Sequence, residues 1–184
     1  MKFSCFLADG RISVIMIGLQ LAVFETGTDR TKTMEGGRKG RISMDMNCAY
    51  CAKGELVAKF GYEVCELPAS TVYLFKEQSH PGRCIVASRH HVSEMLELSE
   101  EDRAAFIADV VTTANAIHSV FKPDKLNYGM YGDTGHHLHM HLVPKYKDGF
   151  EWGGTFAMDP NLKKLDEAHC EEVAAKLRKE ILKG

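Results

Sequence analysis

His137, His139 and His141 stand at alternate positions, separated by Leu138, Met140 and Leu142 and followed by Val143 and Pro144. Side chains of a β-strand point alternately to its two faces. The pattern therefore predicts a strand with three imidazoles on one face and three apolar groups on the other. The apolar face reads as core, so the imidazole face must look into a site or into water. Alternate side chains on a strand sit about 6–7 Å apart, which lets neighbouring rings engage one phosphate or bracket a metal. Imidazole, with an unperturbed pKa near ~6.5, can serve as nucleophile, donor or ligand at neutral pH. The bland alternative is a half-exposed strand rich in histidine. Strict alternation with large aliphatics weighs against it.

A second group of residues with chemical capacity is Cys48-Ala49-Tyr50-Cys51. Two thiols separated by two residues can chelate a soft ion, and Zn²⁺ takes four ligands in a tetrahedron. The same spacing also suits a redox pair.

The run His137-Leu138-His139-Met140-His141-Leu142-Val143, continuing into Pro144-Lys145-Tyr146, resembles the signature of the histidine triad (HIT) superfamily of nucleotide hydrolases and transferases, in particular its zinc-containing bacterial HIT-like branch. The resemblance covers residues 48–150. It implies an α+β, HIT-like fold with a central antiparallel sheet of about five strands, one long helix and one C-terminal helix. By the same resemblance, Cys48, Cys51, His91 and His137 would bind structural Zn²⁺, with His90 as the rival to His91. His139 would attack the α-phosphorus of a nucleotide and form a nucleotidyl-histidine intermediate, and His141 would donate to a phosphate oxygen. The implied function is hydrolysis of dinucleoside polyphosphates, such as diadenosine tetraphosphate, or of nucleoside phosphoramidates. A nucleotidyltransferase or phosphorylase of the same superfamily, and a catalytically silent zinc-stabilised nucleotide-binding module, are the alternatives. A homodimer without an organic cofactor is implied as well. Three positions bear on the substrate. Arg83 stands where many members carry a histidine, and it could clamp phosphate but not act as a general acid at neutral pH. Asp133 stands where asparagine is common, and Glu77 lies near the family's ribose-contacting position.

The elements that must position these residues follow from local patterns. Residues 52–59 read as a short helix. Residues 62–67, 71–75 and 83–87 read as strands, the last entered through the Pro81-Gly82 turn. Ser99 followed by Glu100, Glu101 and Asp102 is a helix start, and Phe106, Val110, Ala114, Ile117 and Phe121 recur at helical spacing to about residue 120. Residues 126–131 and 136–143 read as a hairpin joined by Gly132-Asp133-Thr134-Gly135. Residues 165–182 read as an amphipathic helix with Val173, Leu177, Ile181 and Leu182 on its apolar stripe. His80, His118, His136 and His169 read as surface or structural, and Trp152, the single tryptophan, as a packed loop residue.

A chain of 184 residues is long enough for one domain with a proper core. A formal net charge of -2 supplies no global positive field for nucleic acid or a membrane surface, so an anionic substrate must be held by local groups. Six scattered cysteines do not form the dense framework of a small secreted domain, and a reducing cytoplasm suits them better. No uninterrupted run of about 20 apolar residues is present. Residues 1–43 read as an extension to a domain spanning 44–184. Ile12 to Phe24 is apolar like a signal-peptide core, but Asp9 interrupts the basic region before it and no cleavage site follows. Our expectation is translated upstream sequence with natural initiation at Met44 or Met46, set against a genuine N-terminal extension.

Overall fold

A computed structural model describes residues 45–183 together with the backbone of residues 6–8 and 11–13. The chain divides into two compact units between Arg38 and Lys39. In the first, β1 (Phe6–Ala8) pairs antiparallel with β2 (Arg11–Ser13). The remainder of the reading for residues 1–43 lies outside the described residues.

The second unit is built on a five-stranded antiparallel sheet. Its strands are β3 (Gly61–Glu66), β4 (Ser70–Phe75), β5 (Cys84–Ser88), β6 (Lys125–Gly129) and β7 (His139–Lys145), in the spatial order β3-β4-β5-β7-β6. The histidine strand β7 therefore lies inside the sheet, with Ala87 opposite His139 and Ile85 opposite His141 on β5, and Gly129 opposite His141 on β6. The connection from β6 to β7 is wider than the four-residue turn expected from sequence. The β6–β7 ladder ends at Gly129↔His141, so the intervening chain is free to form a loop beside the histidines. His137 precedes the strand proper, while Leu138 already bonds on the β5 side, donating to the Val92 carbonyl and accepting from Ser88 N.

Two faces separate along β7 as alternation requires. Leu138, Met140 and Leu142 join the large core under α3 (Glu100–Phe121) and α4 (Glu167–Ile181). Ser99 caps α3 by accepting from Asp102 N, and Lys122 closes it in the left-handed region. By length and composition α3 could cross a bilayer, but Phe106, Val110, Ala114 and Ile117 are packed in the core. The α4 stripe differs from expectation: Cys170, Ala174, Leu177 and Ile181 are buried, while Leu182 is 65% exposed. Leu182 follows Ile181 by one residue, a rotation of about 100° that carries it off the core-facing stripe. Asp109, buried on α3, is satisfied by Ala69 N at 2.9 Å and Ser70 Oγ at 2.7 Å.

The opposite face of the sheet carries a smaller cluster of Val57, Tyr73, Phe75, Ile85 and Ala87, with Ala49, Tyr50 and Phe60 packed against it. The helix expected over 52–59 is two short pieces, α1 (Ala49–Ala52) and α2 (Gly54–Ala58), broken at Lys53, whose φ is +55°. This second face is where the histidines look.

Candidate active site and metal centre

Cys48, Cys51, His91 and His137 bring one ligand atom each to within 4.8 Å of one another. Cys48 Sγ lies 3.3 Å and Cys51 Sγ 3.5 Å from His137 Nδ1. His91 Nδ1 lies 3.2 Å from Cys51 Sγ and 3.3 Å from His137 Nδ1. Zn–S and Zn–N bonds of about 2.3 and 2.0 Å give tetrahedral edges of roughly 3.3–3.8 Å, so the donor set fits that ion. His137 Nε2 is 2.8 Å from the Ser88 carbonyl, which can only accept. The proton therefore sits on Nε2, and Nδ1 presents a lone pair to the centre. Burial pushes the Cys51 thiol up, a cost that a cation between the ligands reverses. His90 turns away, with Nε2 3.4 Å from Asp102.

His139 and His141 continue the same face. His139 Nδ1 is 2.7 Å from the His137 carbonyl, which again fixes the proton on Nδ1 and leaves a lone pair on Nε2. Burial lowers the pKa of His139, so the ring is neutral. His141 is neutral too, pushed down to about 3 by burial and then by Arg83 and His139. Its Nδ1 lies 3.3 Å from Arg83 Nη2.

Both rings open on a cleft of about 1000 Å³, at the upper end of ligand-site volumes. One wall is Tyr50 and Phe60, another is the loop Tyr131–His136, and a third is Thr155, Phe156 and Met158. Tyr50 stacks at 5.1 Å on His137 and 5.0 Å on His139. Gly129 lies opposite His141 without a side chain, and a Cβ there would come within 2.5 Å of the Tyr131 ring and 2.7 Å of the Phe156 ring.

Of the residues expected at the substrate, Asp133 lines the cleft. Arg83 is fully buried behind His141, and Glu77 is buried with its carboxylate accepting from Ser79 and from Lys163 N at 3.3 Å. Neither is among the residues lining the cleft. Trp152 is 44% exposed and outside the lining, whereas Phe156, four residues on, forms part of it. Sequence reasoning missed Tyr50, Phe60, Tyr131 and Phe156. Only Tyr50 carried a local signal, since it stands between the two cysteines and must follow them.

The family model for the HIT domain matches residues 63–148. The adenosine 5'-monophosphoramidase hnt1 of Schizosaccharomyces pombe is 23% identical over 142 residues, covering 72% of this chain and 100% of its own length. Protein hit of Bacillus subtilis is 26% identical over 117 residues, covering 60% of this chain and 79% of its own. Among solved structures, a histidine triad protein from Marinobacter aquaeolei VT8 superposes with a TM-score of 0.65 at 21% identity, over 71% of this chain and 96% of that one. A Zn-bound histidine triad family protein from Mycobacterium smegmatis gives 0.54 at 21% identity, over 75% and 95%. A five-stranded sheet carrying alternate histidines on its open face is the architecture of the histidine triad proteins. Residues 63–148 of this chain match the HIT domain, and the fold around them is that of the histidine triad proteins.

Proposed function

We propose that this chain is a nucleotide hydrolase in which His139 Nε2 attacks the α-phosphorus of a dinucleoside polyphosphate, such as diadenosine tetraphosphate, or of a nucleoside phosphoramidate. The observation that carries the reading is the 2.7 Å contact of His139 Nδ1 with the His137 carbonyl. It supports the reading because a proton held on Nδ1 leaves a lone pair on Nε2, in a residue that lines the cleft. The Nε2–P bond forms as the P–O or P–N bond to the leaving group breaks. The leaving group keeps the electron pair and takes a proton from water in the open cleft. Water then attacks phosphorus, the P–N bond to His139 breaks, and a nucleoside monophosphate leaves. His141 donates to a phosphate oxygen as charge builds there. Tyr50, Phe60 and Phe156 supply the apolar wall for the nucleoside, and Asp133 faces the substrate from the opposite loop.

Cys48, Cys51, His91 and His137 hold Zn²⁺ in this reading. A closed set of four protein ligands leaves no position for substrate, so the ion serves as a cross-link. The active species is a homodimer, which sedimentation velocity tests.

The deciding experiment presents diadenosine tetraphosphate and adenosine 5'-phosphoramidate to the full chain, with and without inorganic phosphate. Mass spectrometry of acid-sensitive adducts accompanies it. Hydrolysis with a nucleotidyl adduct on His139 supports the proposal. A nucleoside diphosphate formed only with phosphate points to the phosphorylase alternative. Binding without turnover or adduct overturns the enzymatic reading in favour of a silent module.

A further inference from the structure

The proposed reaction needs His141 to present a proton towards phosphate, so its ring must be held in one orientation and one tautomer. We propose that Arg83 is a positioning residue: its guanidinium, buried beside His141 on the cleft side of the sheet, donates to His141 Nδ1 and thereby keeps the proton of that imidazole on Nε2, facing the reaction. This inference rests on the catalytic reading of the cleft but is carried by separate contacts.

Arginine has five donors and no acceptor. The 3.3 Å contact between Arg83 Nη2 and His141 Nδ1 can therefore be a hydrogen bond only if Nδ1 offers its lone pair. A second proton on the ring would sit against a permanent positive charge. His141 faces Arg83 from the start of β5 and His139 on its own strand, and its remaining neighbours are the uncharged rings of Phe75 and Phe156. The carboxylates of Glu77, Asp159 and Glu151 act on the guanidinium rather than on the imidazole.

The guanidinium is held on several sides. Its Cζ lies 4.2 Å from the centre of the Phe75 ring and 5.2 Å from that of Phe156. Nη1 donates to the carbonyls of Ala157 at 3.3 Å and Met158 at 3.0 Å, and Nη2 reaches Met158 Sδ at 3.2 Å. The loop that supplies those carbonyls is itself pinned. The Glu151 carboxylate accepts from Ala157 N at 2.9 Å and lies 3.0 Å from His80 Nε2, and Lys145 Nζ donates to the Glu151 carbonyl at 2.6 Å. Arg83 thus links the wall segment 155–158 to the histidine strand without lining the cleft.

The test is a long-range ¹H–¹⁵N correlation of the imidazoles in the full chain from about pH 5.5 to about pH 8, with His141 assigned by difference against His141→Gln. In the wild type, His141 is expected as one neutral Nε2–H tautomer that does not titrate. In Arg83→Met the single tautomer is expected to give way to a mixture of Nδ1–H and Nε2–H forms, and kcat to fall by about 10–10²-fold with KM changed far less. Arg83→Lys, which keeps a charged donor, should restore the Nε2–H tautomer and recover part of kcat. An Nδ1–H tautomer or a titrating His141 in the wild type overturns the proposal, as does an unchanged spectrum or kcat in Arg83→Met. Should Arg83→Met fail to fold, the wild-type spectrum decides alone. The spectrum needs no substrate, so a missing adduct on His139 beside an intact His141 tautomer would sink only the hydrolase reading.

Discussion

Along β7 adjacent side chains go to opposite faces, so adjacent substitutions are expected to fail in different ways. Leu142, wholly buried under the helices, should cost about 2–5 kcal/mol as Leu142→Ala in chemical denaturation. His139→Ala should abolish turnover and the adduct while nucleotide binding persists, as equilibrium dialysis would show. His141 gives a pH dependence with a definite sign. Its folded pKa of about 3 lies below the unfolded value of about 6.5, so below that value the unfolded chain binds more protons. Its contribution is complete above the unfolded value and shrinks as pH falls towards the folded one, by up to about 1.4 kcal/mol per unit. Stability measured against pH should therefore slope less steeply on the acid side in His141→Gln than in the wild type. Gly129→Ala would push the Tyr131 and Phe156 rings towards the cleft and should raise KM with a smaller change in kcat.

Helix α1 spans four residues and buries none of them fully, so its length alone does not account for its order. What ties it down is the contact of Cys48 and Cys51 with His91 and His137, together with the Tyr50 ring on the histidines. In Cys48→Ser/Cys51→Ser, or after chelation, amide exchange should rise at residues 48–53 while β4, β5 and β7 stay protected. Uniform deprotection, or none at all, would refute the clamp. The same element shows how far sequence reasoning reaches. The Cys-x-x-Cys spacing and the alternate histidines are local patterns, and the resemblance they support joins them through His91. The strands were legible to within about three residues because their β-branched and aromatic runs are bounded by turns. Phe60 and Phe156 were not legible as site residues, because only the folded sheet brings them beside β7. Arg83 read as a phosphate clamp for a similar reason. A sequence shows that a residue is charged, but not that its charge lies behind the wall of the site.

At the scale of the molecule, the sheet separates two duties. One face, covered by α3 and α4, holds the larger core, and the other holds the small cluster and the cleft. Helix-side packing can therefore vary without moving the chemistry, provided β5 and β7 keep their register. The two sides of the cleft are joined mainly through His137. Its imidazole belongs to the proposed ion site, and its own peptide oxygen receives the proton-bearing nitrogen of His139. Trimming the His137 side chain would leave that oxygen in the chain but release the peptide unit that carries it. A cell short of the ion would then hold a protein whose sheet and helical core persist while the His139 ring loses its anchor; in the proposed reaction, trace-metal supply would limit output before it touched the protein's survival.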